Sequence, residues 1–137
     1  MKARGIVLIV SVVLLGIACA NDKDGTGPGG PLPGALKVVL TTPNGGLDGA
    51  AVVILSAPAV PTAVTAATGL DLWGGPVATM VDTIALTGTL SAGTILTLQV
   101  ADVARVAEYT ATLRAVANGD QTVALRDLTG YLLTVSK

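Results

Sequence analysis

From residue 35 to its end the chain is written in short aliphatic runs rich in Val, Ile, Leu and Thr, each cut off by Gly, Pro, Asn or Asp. That punctuation is the mark of strands joined by turns, and it predicts an all-β domain. Leu36, Val38 and Leu40 alternate with Lys37, Val39 and Thr41, giving a first strand with one face more apolar than the other. Thr42-Pro43-Asn44-Gly45-Gly46 then stops it. Residues 50–55 are continuously apolar, as in a strand covered on both faces or in a sandwich centre, and Pro58 and Pro61 bracket its end because neither donates to a ladder. Residues 62–67, 70–73, 77–86 and 95–100 read as further strands. Gly74-Gly75-Pro76 turns the chain before the third of these, and Gly88 with Ser91-Ala92-Gly93 separates the last two.

Two C-terminal runs, residues 107–117 and 122–135, meet at Asn118-Gly119-Asp120. Asn-Gly predicts a two-residue hairpin turn with Gly119 at positive φ, holding Tyr131, Leu133 and Val135 against the core. The first of these runs has two readings. Tyr109, Ala111, Leu113 and Ala115 follow the period of a strand, and Thr110, Thr112 and Val116 prefer extended backbone. Val103, Val106, Thr110, Leu113 and Val116 also fit helical spacing, with Asp102 placed to cap the start. No repeat of fixed length occurs, so a single immunoglobulin-like β-sandwich is expected over residues 35–137 rather than a solenoid or propeller. With 51% hydrophobic residues there is ample material for a core, and with no Phe that core is built from Val, Leu, Ile and Ala.

The first twenty residues follow a different grammar. Lys2 and Arg4 precede an uncharged stretch, residues 5–20, that contains Ile6-Val7-Leu8-Ile9-Val10. This is the layout of a secretory signal helix, on the short side for the roughly 20 apolar residues a membrane span needs. Leu14-Leu15-Gly16-Ile17-Ala18-Cys19 resembles the lipobox of bacterial lipoproteins, and Cys19 is the only cysteine in the chain. The resemblance implies cleavage after Ala18 and acylation of the Cys19 thiol, the nucleophile of the transfer. Gly16 stands where that motif usually carries Leu. Ala20 and Asn21 follow the Cys, and neither is the Asp that marks inner-membrane retention in such lipoproteins, so outer-membrane sorting is expected where the bacterium has an outer membrane. Asn21 to Gly34 reads NDKDGTGPGGPLPG, a flexible Gly/Pro tether. The expected organisation is a signal at 1–18, a lipidated Cys19 and tether at 19–34, and the sandwich at 35–137. Asp48-Gly49-Ala50 through Ile54-Leu55-Ser56-Ala57-Pro58, with Gly93-Thr94-Ile95-Leu96-Thr97-Leu98-Gln99-Val100, looks like the core strands of cohesin-type modules. Such modules open with two strands where this chain offers one, so their partner-binding face is not carried over.

Chemistry is sparse. The chain has no His, which excludes imidazole-based triads and His metal sites. Ser56, Ser91 and Ser136 lie in no Gly-x-Ser-x-Gly elbow, Ser11 falls in the signal, and a Ser-Lys dyad would need Lys37 or Lys137 beside a serine. Glu108 with an Asp would be the carboxylate pair of a glycosidase, though scattered carboxylates ordinarily serve only to solvate a surface. Asp22-Lys23-Asp24-Gly25 and Asn44-Gly45-Gly46-Leu47-Asp48-Gly49 have the oxygen content of cation loops but read more simply as tether and turn. Beyond the signal six basic residues stand against nine acidic ones, scattered and net −3, which disfavours nucleic acid. Trp73 ahead of Gly74-Gly75-Pro76 is the one candidate stacking platform for a sugar or partner, set against a core position for the same side chain. The sequence thus predicts no catalytic residue, no metal and no cofactor. It predicts a membrane-anchored envelope module that binds a protein or glycan without catalysis. The alternatives are a structural lipoprotein without a ligand and a small hydrolase on the same sandwich.

Overall fold

The computed structural model describes residues 29–74 and 79–137. The signal segment, Cys19, the tether to residue 28, the Asp22–Gly25 stretch and the Gly75-Pro76 turn lie outside the described residues. Eight strands follow in chain order: β1 Gly34–Thr41, β2 Asp48–Ser56, β3 Ala63–Ala66, β4 Leu70–Trp73, β5 Val81–Leu90, β6 Gly93–Val100, β7 Thr110–Asn118 and β8 Leu132–Ser136. They form a β-sandwich of two four-stranded sheets, β3-β6-β1-β8 and β4-β5-β2-β7. Every neighbouring pair is antiparallel.

The alternation read from the sequence sets the core. Leu36, Val38 and Leu40 of β1 and Leu96, Leu98 and Val100 of β6 are buried against Ala51, Val53 and Leu55 of β2 and Ile84 and Leu86 of β5. At about 25 cal/mol per Å² of apolar surface removed from water, this aliphatic layer is the main force holding the sheets together. Tyr109 is the only aromatic ring within the buried cluster. Ile95 is buried beside Leu96 because the β1–β6 register slips between Val38 and Val39, leaving Ile95 as an extra inward residue. All buried apolar side chains of the cluster fall between Leu36 and Leu133, so a protein starting at Asn21 carries the whole sandwich.

The structure corrects or decides the sequence reading in four places. Of the two readings of β2 the sandwich-centre one holds: the strand lies between β5 and β7 with one face on the core, while Val52 and Ile54 point away from it and are half-buried, giving an apolar outer face. β5 occupies Val81–Leu90, four residues past the expected end at 86 and with Gly88 inside it, while residues 77–78 of the expected strand lie outside the described residues. A Cβ at Gly88 would come 2.4 Å from the Gly69 carbonyl oxygen, so this glycine lets β4 approach closely instead of ending the strand. Residues 103–117 divide between both readings. Val103–Glu108 is a short 3₁₀ turn in which the Asp102 side chain accepts from the Ala104 N–H, and Thr110–Asn118 is a strand. Last, Asn118-Gly119 is not a hairpin turn. β7 and β8 belong to different sheets, residues 119–131 cross between them, and Gly119 is absent from the positive-φ glycines. The Asn118 side chain accepts from Ala124 N at 2.8 Å and donates to Thr122 Oγ1, which diverts the chain into a wide loop. Positive φ appears instead at Val123, at 48°.

Candidate functional site

β1 ends at Thr41, β2 begins at Asp48 and β7 ends at Asn118, so loops 42–47 and 119–131 share the end of the sandwich opposite Gly34. There Asp48 is buried, with its side chain wholly shielded from solvent. Its Oδ1 accepts from Arg126 Nε at 3.0 Å. Its Oδ2 accepts from the Tyr131 hydroxyl at 2.8 Å and from Thr42 Oγ1 at 3.1 Å. Asn44 Nδ2 donates to the Tyr131 oxygen at 2.9 Å, and Asn44 N donates to Thr42 Oγ1 at 3.0 Å. A buried carboxylate is tolerated only when paired and hydrogen-bonded, and here both oxygens are engaged. Among the described residues no buried side-chain polar atom lacks a partner. Asp48 therefore joins two loops and the start of β8. Its oxygens face donors from within the fold rather than the open side of the 44–49 loop that a cation would need.

Beside this network lies an open cleft of about 670 Å³, lined by Gly46, Gly49, Gly88, Thr89, Asn118 and Asp120 among others. Its glycines keep backbones close: Gly119 N donates to the Leu47 carbonyl at 2.8 Å, and a Cβ at Gly49 would come 2.6 Å from Gly119 Cα. The Asp120 carboxyl is held below its ordinary range, chiefly by the Thr122 hydroxyl and also by the Thr122 N–H.

The carboxylate nearest to Glu108 in its electrostatics is Asp102, which acts to raise the Glu108 pKa more weakly than Arg105 lowers it. Glu108 sits on the exposed 3₁₀ turn in a two-pronged contact with Arg105, at 2.8 and 2.6 Å, and that hydrogen bonding lowers its pKa and raises that of Arg105. Burial raises the Tyr109 phenol. The register does set Ser136 opposite Lys37, a neighbour relation that sequence spacing cannot reveal. Both side chains stand exposed on the outer face of their sheet, without a hydrogen bond between them among the side-chain bonds of the described residues.

Trp73 is 60% exposed. Strand alternation turns Leu70 and Leu72 of β4 inward and Asp71 and Trp73 outward, with Trp73 in register with Ala85. Its Nε1 donates to Thr87 Oγ1 at 2.7 Å, so the indole runs along the outer face of β5 from the Ala85 position to Thr87. The register continues the row from Trp73 through Ala85 and Val52 to Ala115. Thr83, Ile54 and Thr112 form the next row. Asp71 on β4 and Arg114, the extra residue of a β7 bulge, carry the charges of this face, at its two edges. The outer face of the other sheet is more polar, with Lys37, Thr97, Gln99, Thr134 and Ser136 set around Ala35, Val39 and Leu132.

Comparison with protein-family models, with curated proteins and with solved structures returned no match for this chain.

Proposed function

We propose that the protein is a lipid-anchored, non-catalytic interaction module of the cell envelope, acylated at Cys19 and binding an envelope protein or glycan. In bacteria with two membranes the anchor belongs in the outer one. The observation that carries the binding role is the inequality of the two outer faces. One is mostly polar and carries a lysine, with Val39 and Leu132 as its larger apolar members. The other is an aliphatic and hydroxyl-bearing surface with an indole held along it by its hydrogen bond to Thr87. A tryptophan left more than half exposed yet fixed in orientation has lost its entropy in advance, which favours binding. The buried carboxylate that a hydrolase would recruit is committed to Arg126, Tyr131 and Thr42, and this also supports a role without catalysis.

Two measurements test the reading. Cells grown with labelled palmitate should label the protein, and Cys19→Ser should lose both the label and sedimentation with membranes. Envelope material retained by the immobilised chain from Asn21 should fall sharply with Trp73→Ala. Label on the Cys19→Ser variant refutes the anchor, and retention unchanged by Trp73→Ala refutes the binding face.

A further inference from the structure

We infer that the outer face of the β4-β5-β2-β7 sheet binds an uncharged polysaccharide chain, with Trp73 as its stacking platform; the inference rests on the interaction-module reading and names the partner of that face. Three features select this ligand. The indole N–H is spent on Thr87, so what the ring offers is its π-face, whose negative quadrupole meets polarised C–H groups such as those on the apolar side of a pyranose. The row from Trp73 through Ala85 and Val52 to Ala115 crosses three inter-strand spacings of about 4.8 Å, a low aliphatic floor with room for a short run of sugar rings. Hydroxyls of Thr83, Thr87 and Thr112 stand beside that floor, where ring hydroxyls would reach them.

Charge completes the selection. The floor between Asp71 and Arg114 is neutral, so a chain charged along its whole length would lose hydration over the middle of the row and meet a counter-charge at one edge only. A protein partner is a poorer fit, because protein interfaces concentrate several aromatic, Met or Arg anchors, and this face has a single aromatic ring with Arg114 apart from it at the far edge.

The chain from Asn21, which carries the complete sandwich, is titrated with cello- and chito-oligosaccharides, with heparin as the charged probe. Trp73 is the only tryptophan, so its emission reports the site directly. The neutral oligosaccharides should give a saturable change and heparin none. In affinity gels containing a neutral polysaccharide, Trp73→Leu should weaken retardation roughly tenfold, the scale of one aromatic contact. Trp73→Tyr should keep most of the binding, and Thr87→Val, which frees the indole, should weaken it a few-fold. No saturable change with any neutral oligosaccharide overturns the inference. So does a Trp73→Leu variant that binds like the parent, or a stronger response to heparin. To separate this failure from that of the broader reading, a photo-crosslinking residue at position 85 is used in intact cells. Capture of an envelope protein there, with no glycan binding, overturns the glycan and leaves the module reading standing; neither glycan binding nor capture overturns both.

Discussion

Replacing Asp48 by Ala should cost ~3 kcal/mol of folding stability. Hydrogen bonds to a charged group contribute about 1.5–3 kcal/mol each, and Asp48 accepts three. Arg126 is 30% exposed at its side chain, so water replaces much of what it loses and its share is discounted. The Thr42 and Tyr131 hydroxyls each keep Asn44 as a donor but lose their acceptor in a part-buried setting. Two orphaned hydroxyls and a discounted ion pair place the total at the lower edge of the about 3–5 kcal/mol seen when one partner of a buried pair is removed. Asp48→Asn keeps the volume and one acceptor but turns an NH₂ toward hydroxyls, and should cost about half as much. In a domain of this size ~3 kcal/mol lowers Tm by roughly 12–20 °C. Urea unfolding of the chain from Asn21, followed by circular dichroism, measures both variants. The reasoning is refuted if Asp48→Ala costs less than about 1 kcal/mol, or if Tyr131→Phe and Asp48→Asn prove additive in a double-mutant cycle.

Gly49→Ala should destabilise by about 1–3 kcal/mol, because its Cβ meets Gly119 Cα and one loop backbone must move; a thermal melt within about 2 °C of the parent would contradict this. Val123→Asn should stabilise by up to about 1 kcal/mol, since Asn tolerates the left-handed region that a β-branched residue does not. Equal or lower stability in urea would count against strain at this position. Asp120 and Asp127 have lowered pKa values, chiefly through the Thr122 side chain and the Thr129 backbone respectively. A depressed folded-state pKa contributes stability above the unfolded value, near pH ~4, that is lost as pH falls through the folded value. Carboxyl NMR titrations should therefore give midpoints for both below the ordinary aspartate value of about 4, and unfolding scans should show their contribution disappearing only on the acid side of about pH 4.

What was legible in the sequence was the inward face. Period-two spacing at Leu36, Val38, Leu40 and at Leu96, Leu98, Val100 names the core because burial of one strand face is a local property of the pattern. Partners across the sandwich are not local. Nothing near Asp48 announces Arg126 or Tyr131, which lie 78 and 83 residues away. Asn118-Gly119 carried the strongest local turn signal and was overridden, because the Asn118 side chain had a better use in Ala124 and Thr122, and because β8 pairs with β1. Trp73 was recognised as a choice between core and surface. Only the register of β4 against β5 decides it, since shifting a strand by one residue exchanges its faces.

β1 lies inside its sheet, bonded to β6 along one side and β8 along the other, and the chain reaches it through Gly34. A pull on the preceding segment, resisted by a ligand on the opposite sheet, loads β1 along its own axis. Its hydrogen bonds to both neighbours are then strained together in shear and cannot open one at a time like a zip. The sandwich is accordingly suited to resist extension from its N-terminal side, whereas β8, a short edge strand whose C-terminus leaves at the same end, has hydrogen bonds on one side only to hold against the same pull.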